Sequence, residues 1–71
     1  MFYQVRSYQD GKLVGDWLYA ATNSQKALDR ARRDYPAHKE CLMTAKAFDE
    51  EDERNADLYR AYSNAGCVYF W

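Results

Sequence analysis

The chain reads as an α+β domain, an antiparallel sheet opened by an amino-terminal β-hairpin and packed on one or two helices, in the order ββαβαβ or ββαβββ. Three observations predict it. The residues flanking Asp10-Gly11 alternate with a two-residue period, Ala27, Leu28, Ala31 and Tyr35 recur at helical spacing, and alternation returns after Pro36. With 71 residues the chain is read as one compact domain, residues 1–71, because a chain this short has too little core to divide.

Each element follows from local chemistry. Phe2 to Tyr8 place Tyr3 and Val5 on one face of a strand and Gln4 and Arg6 on the other. Asp10-Gly11 supplies the positive φ of a tight hairpin turn, and Leu13 to Ala20 resume an extended, aromatic-rich pattern with Trp17 and Tyr19. Thr22 to Gln25 has the form of a capping box, so a helix is expected from there to about Asp34, where Pro36 removes α geometry from Tyr35. Lys39 to Phe48 predicts a third strand with Cys41, Met43, Ala45 and Ala47 on one face. Leu42 and Phe48 break that alternation, which points to a covered second face or a central position in the sheet.

Two periods fit residues 49–64. In the helical reading, favoured here, Asp49 caps, Glu50 to Glu53 complement the helix dipole, and Leu58, Ala61, Tyr62 and Ala65 form a buried stripe ended by Gly66. In the extended reading a charged loop precedes a strand at Leu58 to Tyr62. Cys67 to Trp71 closes the sheet in both, and its edge is open to pairing with a second copy as a homodimer.

Composition removes several function classes. The longest apolar runs, Trp17–Ala21 and Cys67–Trp71, are five residues each, far below the roughly 20 needed to cross a bilayer, and no secretory leader precedes the first strand. A cytoplasmic setting is therefore expected, with Cys41 and Cys67 reduced and buried as small apolar residues. Glycines only at positions 11, 15 and 66 cannot make a phosphate loop. His38 is the sole histidine, and in a strand its odd spacing from Cys41 puts the two on opposite faces, against a catalytic dyad. His38, Cys41 and Cys67 fall short of a zinc set, and the acidic run lacks the spacing and glycine of a calcium loop. No enzyme activity, cofactor or metal is expected.

Two surfaces remain as candidates. Asp49, Glu50, Glu51, Asp52 and Glu53 are the densest charge run, flanked by Phe48 and Tyr59, with Tyr62 as a further candidate anchor. That combination suits a protein-binding module, a small inhibitor or adaptor that offers phosphate-like charge to a partner's basic nucleic-acid-binding groove, as phage-type anti-defence inhibitors do. The alternative is a nucleic-acid-binding accessory protein. In it Lys26, Arg30 and Arg33, one stripe of the first helix, contact phosphates while sheet tyrosines stack on bases. The net charge of −1 weighs against that alternative.

Overall fold

The computed structural model describes Met1–Phe70. Strands β1 (Phe2–Gln9) and β2 (Lys12–Ala20) form the expected hairpin, closed by Asp10 and Gly11 at φ 52° and 79°. Both central residues of the turn have positive φ, which matches the twist of the two strands. The ladder runs in register from Phe2 opposite Ala20 to Ser7 opposite Gly15, then shifts so that Tyr8 faces Leu13.

Helix α1 (Ser24–Asp34) stops where the proline predicts. Its cap is Asn23 rather than Thr22, with Asn23 Oδ1 accepting from the Lys26 amide at 2.9 Å. Asparagine caps at least as well as threonine, so the start moves by one residue without loss of the motif. A single 3₁₀ turn, Pro36–His38, leads to β3 (Leu42–Phe48). The strand begins later than Lys39 because that turn consumes the residues before it.

Residues 49–64 are helical in their second half only. Asp49 does not cap a helix; its carboxylate accepts from the Glu51 amide and holds a turn. Asp52 caps the 3₁₀ turn Glu53–Asn55, which runs into α2 (Ala56–Asn64), and Gly66 at φ 72° ends the segment. Five adjacent carboxylates repel one another less in a turn than aligned on one helix.

The sheet order is β3-β1-β2-β4, with β4 (Val68–Tyr69) added parallel to β2 at Leu18 and Tyr19. The sheet is therefore mixed, antiparallel through β3, β1 and β2 and parallel at the last strand. β3, β2 and β4 share one direction, and the two helices carry the chain between them, since parallel strands need a crossover. Trp71, placed in the closing strand by the sequence pattern, lies outside the described residues.

Two cores result. On one face Val5, Trp17, Tyr19 and Met43 pack under Ala27 and Ala31 of α1. On the other Phe2, Leu18, Ala20 and Phe48 pack under Tyr62 of α2. The covered second face anticipated from Phe48 is thus real, although β3 is an edge strand and Leu42 stays in solvent. Phe70 is 62% exposed, and Cys41 and Cys67 are unbridged and only half-buried rather than buried.

Candidate protein-binding surface

Along α2, positions 58, 61, 62 and 65 share one side, as the spacing requires. Tyr62 alone is buried, at 6% exposure, while Leu58 is 40% exposed and Ala61 and Ala65 lie in solvent. The expected buried stripe is therefore largely uncovered. Tyr59 and Tyr62 hold the helix to the sheet, Tyr59 edge-on to Phe2 at 5.8 Å and Tyr62 edge-on to Phe48 at 6.3 Å. Tyr59 is half-buried by that contact and Tyr62 is a core residue, which withdraws Tyr62 from any role as an exposed anchor.

The uncovered stripe lines an open pocket of about 260 Å³ with Asp16, Tyr62 and Cys67. Its walls are apolar and one polar network lies beneath them. Gln4 Nε2 donates to the Tyr62 hydroxyl at 2.8 Å, the hydroxyl donates to Asp16, and Arg6 Nε lies 3.4 Å from the same carboxylate. Burial raises the Tyr62 phenol above its usual pKa, and the Asp16 carboxylate adds to the shift. The pocket is smaller than the roughly 300 Å³ at which small-molecule sites begin.

The acidic run precedes α2 in the chain, joined to it by the 3₁₀ turn Glu53–Asn55, and none of its residues lines the pocket. Asp49 and Asp52 are engaged locally: Asp49 in its turn, and Asp52 in a two-toothed contact with Arg54 whose shorter arm is 2.9 Å. Arg54 holds the Asp52 carboxyl below the usual carboxylate range. Glu50, Glu51 and Glu53 are exposed, and among the described residues none of them makes an ion pair. Asp57, also exposed, lies 3.7 Å from Arg60 one turn further along the helix.

The basic stripe of α1 is divided. Arg30 donates one guanidinium nitrogen to the Ala20 carbonyl and another to the Phe70 carbonyl, with its charge 5.2 Å above the Tyr19 ring. It is a strap between α1 and the end of the chain. Lys26 and Arg33 remain exposed, Arg33 being 3.7 Å from Asp34. The tyrosine nearest the stripe is no stacking platform, since Tyr19 is fully buried and its hydroxyl donates to Asp34 at 2.9 Å.

Sequence spacing missed one pair. Ser7 Oγ lies 3.0 Å from His38 Nδ1, joining β1 to the 3₁₀ turn across 31 positions. Ser7 is wholly buried and presents no surface to a substrate, and His38 stands edge-on to Trp17 at 5.4 Å. Only the strand parity of Ser7, on the α1 face with Val5, hints at this contact in the sequence. Among the described residues no three histidine, cysteine or acidic side chains converge as metal ligands, and no helix is long and apolar enough to cross a membrane. Compared with models of protein families, with curated proteins and with solved structures, the chain matches none.

Proposed function

We propose that this chain is a non-enzymatic protein-binding module, a small inhibitor or adaptor that covers a basic surface of its partner. The observation that carries the reading is the uncovered stripe of α2: an apolar pocket lined by Leu58, Ala61 and Ala65, on a helix that the exposed carboxylates of Glu50, Glu51 and Glu53 precede in the chain. A partner's protruding side chain fills the pocket and resists dissociation, while the carboxylates steer approach to its basic groove. Among the described residues, the unpaired charge presented is that of four carboxylates, Asp49, Glu50, Glu51 and Glu53, because Asp52 is paired with Arg54 and Asp57 with Arg60. The nucleic-acid alternative is left with Lys26 and Arg33, since Arg30 is committed to two backbone carbonyls.

Capture of partners from source-cell lysate with and without nuclease separates the two readings. Under the protein-binding reading, a stoichiometric protein persists through nuclease. The triple variant Glu50→Gln, Glu51→Gln, Glu53→Gln then associates about tenfold more slowly at low salt and shows a flatter salt dependence. Leu58→Asp accelerates dissociation. Loss of all partners on nuclease treatment, or binding by both variants indistinguishable from the parent, overturns the reading.

A further inference from the structure

β3 is the outermost strand of the sheet, and among the described residues nothing pairs with its outer edge. Folded proteins blunt such edges with bulges, prolines or very short strands. The opposite edge of this sheet is blunted: the register shift lies at the start of β2, and β4 is two residues long. β3 has no such device in its backbone. It pairs one-to-one with β1 from Phe48 opposite Phe2 to Leu42 opposite Tyr8, without bulge, glycine or proline. Its only guard is Lys46, and Leu42 at its start is 67% exposed.

Lys46 leaves one antiparallel self-pairing open. Opposed residues share a face, so a two-fold axis normal to the sheet must pass where a residue meets its own copy. Centred on Lys46, the pairing sets ammonium against ammonium and leaves Leu42 unmatched. Centred on Thr44, it leaves Phe48 unmatched and sets Leu42 against Lys46. Centred on Ala45, it matches all seven residues of β3: Leu42 with Phe48, Met43 with Ala47, and Thr44 with Lys46. Like charges then avoid direct opposition, exposed Leu42 gains an aromatic neighbour, and two small alanines meet on the face that α1 covers.

We propose that β3 pairs antiparallel with β3 of a second copy, centred on Ala45, to give a two-fold dimer with one continuous eight-stranded sheet. The interface lies at the edge remote from β2 and β4, so each dimer keeps two α2 pockets, and the proposal stands independently of what those pockets bind. Sedimentation equilibrium over a dilution series tests it. The parent chain should approach twice its 8.4 kDa mass at high concentration. Thr44→Lys sets like charges opposite each other twice and should weaken the dimer about tenfold, whereas Thr44→Glu should strengthen it by pairing with Lys46. The double variant Thr44→Lys, Lys46→Glu, which again opposes unlike charges twice, should reverse the loss and bind at least as tightly as the parent. Thr44 is exposed, and circular dichroism checks that each variant stays folded. A parent that remains monomeric throughout, or a dimer that responds alike to Thr44→Lys and Thr44→Glu, overturns the proposal.

Discussion

At residue scale, Gly15 shows how a neighbour and not a turn can demand glycine. The Trp17 indole folds back over it, and a Cβ at position 15 would overlap the six-membered ring. That ring is itself fixed, stacked on Tyr35 at 4.3 Å. Gly15→Ala should therefore cost about 1–3 kcal/mol, the usual range for overpacking, read as a lower urea midpoint at unchanged slope. The tyrosines give a second residue-scale prediction. Burial, with the Tyr69 hydroxyl as partner, pushes the Tyr35 phenol up to about 12, and burial and Asp34 raise Tyr19 further. A phenol that holds its proton more tightly when folded contributes stability that is complete below the unfolded pKa of about 10 and is lost as pH rises toward 12. Tyrosinate absorbance should accordingly show a late phase that coincides with loss of the far-ultraviolet circular dichroism. A tyrosinate titration without that late phase would contradict the burial described.

At the scale of elements, Arg30 decides how firmly α1 is tied to the carboxyl-terminal strand. Its two carbonyl acceptors, Ala20 and Phe70, are 10 and 40 positions away. Arg30→Ala should lower stability by about 1–2 kcal/mol, the lower part of the range for charged hydrogen bonds because the side chain is half-exposed. Arg30→Lys should recover only part of it, since one ammonium lacks the guanidinium fork. Thermal unfolding of the two variants checks the order. The helical stripe that contains Arg30 was legible from spacing alone. Its use was not, because periodicity places a residue on a face without saying which distant carbonyls the fold brings there. The same limit explains α2. Its face was legible in Leu58, Ala61, Tyr62 and Ala65, but that most of this face is left uncovered depends on how little of the helix the sheet reaches.

For the whole molecule, the legible part is what short-range chemistry dictates: the hairpin at Asp10-Gly11, the stop before Pro36, the α+β class and the aromatic core at Trp17 and Tyr19. The direction of the last strand was not legible. Parallel pairing at Leu18 and Tyr19 involves two residues, Val68 and Tyr69, and leaves no local pattern to distinguish it from an antiparallel return. The start of α2 was hidden for a related reason, because an acidic run serves equally well as a helix start or as turns with carboxylate caps. The candidate surface followed the same division. Its charges stood in the sequence at Glu50, Glu51 and Glu53, whereas the pocket exists only because residues 16, 58 and 67 converge.

The late position of β4 bears on synthesis. The hairpin, α1 and β3 are complete by Phe48, yet the lid of the second core, Tyr62, and the partner of Tyr35, Tyr69, lie up to 21 positions further on. At about 10 residues per second a ribosome needs roughly 2 s to supply them, long compared with the milliseconds in which small α/β units fold. The second core therefore cannot close before α2 and β4 have been made, and Phe2, Leu18 and Phe48 stay without their cover until those late elements dock.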